Sequence, residues 1–102
     1  MFGDLEQAVM DVLWASPTAM SVRDVQAALA NDRELAYTTV MTVMDRLAKK
    51  GQVTRELDGR AWQYRPSRTW VELVANEIVG ILSNGTPEQA RAVLEAVHER
   101  VG

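Results

Sequence analysis

Between residues 37 and 50 the chain reads Tyr37-Thr38-Thr39-Val40-Met41-Thr42-Val43-Met44-Asp45-Arg46-Leu47-Ala48-Lys49-Lys50. Advanced at ~100° per residue, the α-helical angle, Val43, Met44 and Leu47 fall within ~60° of Val40 and make an inward stripe. Thr38, Thr42, Asp45 and Lys49 fall on the opposite side, flanked by Thr39, Met41 and Arg46. An ordinary solvent face would carry Glu/Lys pairs, which support isolated helices. Threonine is poor helix chemistry but good groove chemistry. Its hydroxyl bonds a base edge, its methyl meets the thymine methyl, and arginine takes guanine or phosphate with two bonds at once. These types at this spacing point to a helix that reads double-stranded DNA, with a plain solvent face as the competing reading. The candidate contacts are Tyr37, Thr38, Thr39, Met41, Thr42, Arg46 and Lys50. Cations at Lys49-Lys50 also suit a helix C-terminus in their own right.

The elements that must position this helix follow from punctuation and period. Asp4 reads as an N-cap ahead of Leu5, Val9, Val12 and Leu13, a run that Ser16-Pro17 stops. Ser21 with Asp24 reads as a weak capping box for a second short helix, with Val22, Val25 and Leu29 inside. Gly51 closes the third helix. Two segments rich in β-branched and aromatic residues, 52–57 and 60–65, then flank Asp58-Gly59, a strong hairpin signal. Arg60, directly after that turn, is placed to reach a phosphate, while Trp62 and Tyr64 read as packing residues rather than base-stacking ones. Helices over 69–83 and 87–101 complete the chain, the second with Thr86 as N-cap and Pro87 at its first position. The expected fold is mainly α with a small β-hairpin. It is a winged helix-turn-helix over residues 1–66 followed by two C-terminal dimerisation helices over 67–102.

Composition narrows the function classes. One domain with a short appendage suits 102 residues, and 47% apolar with 25% charged residues is ordinary for a folded chain. With no cysteine there is no disulfide, no thiol catalysis and no thiolate metal site, which fits a reducing cytoplasm. No apolar run is long enough to span a membrane, and the acidic start Asp4-Leu5-Glu6 does not read as a signal peptide. The only histidine, His98, has no triad partner at recognisable spacing, and the acids form no metal-ligand grouping. No enzyme, metal or cofactor is therefore expected. The net charge of −3 argues against DNA until it is divided. Residues 1–45 carry −5, residues 46–65 carry +4 and residues 66–102 carry −2. A positive block in an acidic chain creates a local positive field whatever the total.

The last two helices are amphipathic. Trp70, Val71, Val74, Ile78, Ile81 and Leu82 share one face, and Ala90, Val93, Leu94, Val97 and Val101 another. Two such helices alone leave apolar area open, and a two-fold partner covers it. The expected homodimer interface is Trp70, Val74, Ile78, Ile81, Leu82, Leu94 and Val97. The competing arrangement folds the tail back on Met10 and Trp14, both off the first helix's inner stripe.

At this point the chain resembles the penicillinase repressor family of bacterial transcription regulators. The resemblance is carried by residues 3–14, by residues 37–51 with their Arg46-Leu47-Ala48-Lys49-Lys50-Gly51 ending, and by the wing Asp58-Gly59-Arg60-Ala61-Trp62-Gln63-Tyr64. It covers about residues 3–75 and looks closest to actinobacterial members with a shortened C-terminal tail. The resemblance implies a dimeric repressor on a palindromic operator with TACA/TGTA-like half-sites. It implies Thr38, Thr39, Thr42 and Arg46 at bases or nearby phosphates, and Arg60 at the backbone. There are departures. Ala36-Tyr37 stands where members often have a Ser-Pro cap, and alanine caps poorly, so the helix start is expected to be displaced or completed by a phosphate. The cysteine-rich motif of copper-responsive members is missing. Only two tail helices fit, where the family usually has three, and the sole phenylalanine is Phe2, so the bond cut during antibiotic induction has no match in the tail.

The reading is a sequence-specific DNA-binding repressor acting in the cytoplasm as a homodimer on a palindromic operator. Its upstream sensor is not identifiable from the residues. The alternatives are a winged-helix module that binds proteins, and a ligand-sensing repressor without proteolytic induction. Steep weakening of binding with salt separates DNA from the first of these.

Overall fold

The computed structural model describes residues 2–102. Its elements are α1 (Asp4–Ala15), α2 (Val22–Leu29), α3 (Tyr37–Lys49), β1 (Val53–Asp58), β2 (Ala61–Pro66), α4 (Trp70–Leu82) and α5 (Pro87–Val101). Three helices, an antiparallel hairpin and two helices make a winged helix-turn-helix with a helical tail. The chain divides into two compact units, one ending at Thr69 and the other starting at Trp70. The expected boundary at residue 66 falls inside the first. No helix among the described residues is long and apolar enough to cross a membrane.

Caps set the helix starts. The N-cap of α1 is Gly3, one residue before the expected Asp4. Glu6 reaches back so that the Gly3 N–H donates to its Oε1 at 3.2 Å. Asp4 instead sits in the first turn, where a carboxylate complements the helix dipole, and its Oδ2 meets Arg33 Nη1 at 3.1 Å. In α2 the Ser21 and Asp24 side chains each accept the other's backbone N–H, at 3.1 and 3.0 Å. Thr86 and Gln89 repeat this reciprocal cap on α5, at 3.1 and 2.9 Å, with Pro87 in the first turn.

The end of α3 needs its glycine. Gly51 has φ +74°, so the Gln52 N–H reaches Leu47 O at 2.9 Å and the Gly51 N–H reaches Ala48 O at 3.0 Å. This paired closure satisfies carbonyls that the helix leaves open, and a left-handed residue there favours glycine. The chain then turns directly into β1.

In the hairpin Asp58 pairs with Ala61, Leu57 with Trp62 and Arg55 with Tyr64. The two loop residues are therefore Gly59 and Arg60. Gly59 takes φ +64° and no non-glycine residue among those described has positive φ, the pattern of a type II′ turn with glycine at its first central position. Arg60 is thus part of the turn, one step earlier than expected. A further backbone pairing was not expected: Met20 exchanges both bonds with Tyr64, at 3.0 and 2.8 Å, anchoring the base of the wing to the segment between α1 and α2.

The core of the first unit joins Val9, Met10 and Leu13 of α1, Val22, Val25 and Leu29 of α2, and Val40, Val43, Met44 and Leu47 of α3 with Val53 and Tyr64 of the hairpin. Each large apolar side chain buried this way is worth about 1.5–3 kcal/mol before entropy is counted. The α3 stripe is the expected one. On α1, Leu5 and Val12 are only partly buried, whereas Met10 is fully inside. Trp14 is also engaged within this unit. Its ring lies 6.2 Å from that of Phe2, and its Nε1 donates to Arg68 O at 3.0 Å. Met10 is therefore part of the core rather than off the inner stripe of α1, and Trp14 is half-buried with partners of its own in the first unit.

Candidate nucleic-acid interface

With Val40, Val43, Met44 and Leu47 turned inward, α3 presents Tyr37, Thr38, Thr39, Met41, Thr42 and Arg46 to solvent. The helix starts at Tyr37 with no side-chain cap from Ala36, so its start is not displaced. Arg23 of α2 lies over the Tyr37 ring at 5.3 Å, a cation–π contact at the head of the helix. Thr42 Oγ1 donates to Thr38 O at 2.8 Å. Its proton is therefore committed to the backbone, and the side chain offers lone pairs and a methyl outward.

The cations of residues 46–65 divide into two sets. Lys50 Nζ lies 2.9 Å from Glu6 Oε2, Lys49 Nζ lies 3.0 Å from Asp45 Oδ2, and Arg55 Nη1 lies 3.1 Å from Asp45 Oδ1. Arg46, Arg60 and Arg65 make no ion pair among the described residues. Half of the positive block is thus neutralised within the fold. Of the candidate basic contacts, Lys50 already holds an acid, Arg60 makes no ion pair, and Arg46 makes none but adds to the positive field on Glu6.

These pairs set the ionisation of the two acids. Lys50, followed by the Gly3 N–H, holds the Glu6 carboxyl below its usual range against the opposing effect of burial. Lys49 and then Arg55 do the same for Asp45. Both acids are therefore firmly ionised at neutral pH, and each charge is matched.

On the wing, Tyr64 is 2% exposed and belongs to the core, as its packing role required. Trp62 is 43% exposed and stands on the same strand face with Arg55 over its ring at 4.9 Å. Arg60 is exposed at the turn. The Asp45–Arg55 bond and the Glu6–Lys50 bond had no sequence signal, since both cross between elements. No group of His, Asp or Glu able to hold a metal ion occurs among the described residues.

The tail unit leaves much apolar surface open. Of the expected interface residues, Trp70, Ile78, Ile81, Leu94 and Val97 are exposed, with Trp70 at 57% and Ile81 at 68%, and Val74 and Leu82 are half-buried. Val71, Val79, Val93 and Val101 are exposed as well. Leu73, absent from the expected face, is the one buried residue of α4 among those described.

Comparison with known proteins supplies the family. The penicillinase repressor profile matches residues 2–101. The chain is 48% identical over 101 residues to the transcriptional regulator BlaI of Mycobacterium tuberculosis, covering 98% of this chain and 73% of that protein. It is similar to the solution structure of the DNA-binding domain of the repressor BlaI, with a TM-score of 0.61 and 27% identity over 69% of this chain and 84% of that one. It is also similar to Bacillus licheniformis BlaI, solved in monomeric form in complex with the blaP half-operator, with a TM-score of 0.58 and 26% identity over 71% of this chain and 87% of that one. A match of this extent, joined to the exposed threonine-rich face of α3 and its wing, means that the chain belongs to the penicillinase repressor family and is a winged-helix transcriptional repressor.

Proposed function

We propose that this repressor binds a palindromic DNA operator as a homodimer in the cytoplasm. In this reading α3 enters the major groove with Thr38, Thr39, Met41, Thr42 and Arg46 toward the bases. Tyr37 borders the groove, Arg60 meets a phosphate on the flank, and α4 and α5 join the two copies. Lys50 contributes positive potential while holding Glu6.

The observation that carries the reading is the pairing pattern of α3 and the wing. Asp45 of α3 is paired with Lys49 and Arg55, and Glu6 of α1 with Lys50, whereas Arg46 and Arg60 make no ion pair among the described residues. Two unpaired arginines, one amid threonines on a helix face and one at a hairpin turn, suit a base contact and a backbone contact respectively. The half-operator bound by the B. licheniformis relative favours a site made of two such halves. The open apolar faces of the tail favour a second copy, because a self-complementary two-fold contact is the commonest way to cover such surface.

Selection of bound duplexes from random sequence, paired with sedimentation of the free protein, tests this. The expected result is a palindromic motif and a dimer mass. An unenriched pool, or a single half-site bound by a stable monomer, would overturn it.

A further inference from the structure

Asp45 places a carboxylate on the same side of α3 as Thr38 and Thr42. Two cations hold it, and they come from different places. Lys49 lies one turn along the same helix, with Nζ 3.0 Å from Oδ2. Arg55 comes from β1, with Nη1 3.1 Å from Oδ1, so this bond crosses from the helix to the wing. Arg55 is itself fixed on the wing side. Its Nη1 donates to the Tyr64 hydroxyl at 3.3 Å, and its guanidinium lies 4.9 Å from the Trp62 ring centre and 5.9 Å from that of Tyr64. Tyr64 in turn is buried and paired to Met20.

A two-stranded hairpin is marginal in water and needs packing to hold a fixed position. Here the packing stops early. Val53 and Tyr64 are buried at the base, whereas Leu57, Asp58, Gly59, Arg60, Ala61 and Trp62 are all exposed. Among the described residues Arg55–Asp45 is the side-chain bond that joins the wing to α3, and no buried residue lies between Arg55 and Arg60.

We propose that Arg55 is a positioning residue for DNA binding: by clamping the wing to α3 through Asp45, it fixes where Arg60 stands relative to Arg46. This rests on the reading of α3 and Arg60 as the DNA surface. Arg55 need not touch DNA; it acts through the place it gives Arg60.

The test uses the full chain with Arg55→Ala, Arg60→Ala, the double variant and Asp45→Ala. Binding to the selected duplex is followed against salt. Removing one phosphate contact lowers the slope of log K against log salt by about one. Arg60→Ala is expected to do this, Arg55→Ala to do nearly the same, and the double variant to lose no more than either. Losses that add to about two in the double variant would make Arg55 a phosphate contact of its own and overturn the proposal. In the free protein, backbone relaxation should show lower order at residues 57–62 in both Arg55→Ala and Asp45→Ala, with α1 and α2 unchanged. Unchanged wing order, or loosening spread through α1 and α2, also overturns it. Wild-type protein that binds no duplex removes the DNA reading and this proposal together, whereas binding with additive losses removes this proposal alone.

Discussion

Glu6 Oε2 accepts a bond from Lys50 Nζ at 2.9 Å, tying the first turn of α1 to the end of α3 across 44 residues of sequence. The other carboxylate oxygen takes the Gly3 N–H at 3.2 Å, so one nearly buried acid caps its own helix and fastens another. Lys50 lies one turn after Arg46 and Arg46 adds to the positive field on Glu6, so the bond bears on both stability and the set of the reading helix.

Stability should therefore depend on pH through Glu6. Its folded pKa lies below the ordinary 4.5, chiefly because of Lys50 and then the Gly3 N–H. A depressed acid stabilises fully above the unfolded pKa, and the contribution is lost as pH falls through the folded one. Glu6→Gln is expected to lower stability at pH 7 by about 1–3 kcal/mol, the scale of a charge-assisted bond. The gap in melting temperature between wild type and variant should close as the pH is taken from 6 to 3. A gap that stays constant would show that the negative charge is not what stabilises.

Arg46 and Arg60 should fail differently. Arg46→Ala is expected to cost about 1–3 kcal/mol on the selected operator and much less on random duplex, as loss of a base contact does. Arg60→Ala should weaken both duplexes alike and lower the salt slope by about one. Titrations of both variants on both duplexes at two salt concentrations check this. Equal losses for Arg46→Ala on the two duplexes would make it a backbone contact.

How much of the fold is legible in the sequence depends on the range of each interaction. The α3 stripe was legible because Val40, Val43, Met44 and Leu47 obey a single period and all four are buried. The double cap at Ser21 was legible for the same reason, since both partners lie within one turn, while at Thr86 the N-cap was read and its partner Gln89 was not. The hairpin was placed correctly but its turn was shifted by one residue. Asp58-Gly59 reads locally as the loop pair, whereas the cross-strand pairing of Asp58 with Ala61 makes Gly59 and Arg60 the loop. Met10 was misread because α1 buries a wider face than one narrow stripe, with Val9, Met10 and Leu13 all inside. Long-range partners were invisible. Nothing near Lys50 announces Glu6, nothing near Tyr64 announces Met20, and the division of the positive block into paired and free cations exists only once the chain is folded.

Thr42 offers a finer test of how the helix reads bases. Its hydroxyl proton is committed to Thr38 O at 2.8 Å, so the outward chemistry is the methyl and the oxygen lone pairs. If the methyl meets a thymine methyl, Thr42→Val preserves the shape and should keep most of the operator affinity. Thr42→Ser removes the methyl and should cost affinity at one base position. Binding to the selected motif and to its single-base variants separates the cases. A larger loss for valine than for serine would assign the contact to the oxygen instead.

The tail makes the last prediction. Trp70, Ile78 and Leu94 are exposed apolar residues on α4 and α5, within a unit whose only buried residue among those described is Leu73. Surface of this kind is stable in water when a second copy covers it, and a two-fold axis is also what spaces two reading helices along a palindrome. Replacing all three with polar residues should give soluble monomers whose first unit still folds, because none of the three belongs to its core. Affinity for a full palindrome should then fall to that for a single half-site, since the second reading helix no longer arrives tethered to the first. Sedimentation gives the mass and a half-site titration gives the affinity. A dimer mass retained in the triple variant would place the interface elsewhere, and a monomer that still prefers the full palindrome would mean that the DNA, rather than α4 and α5, brings the copies together.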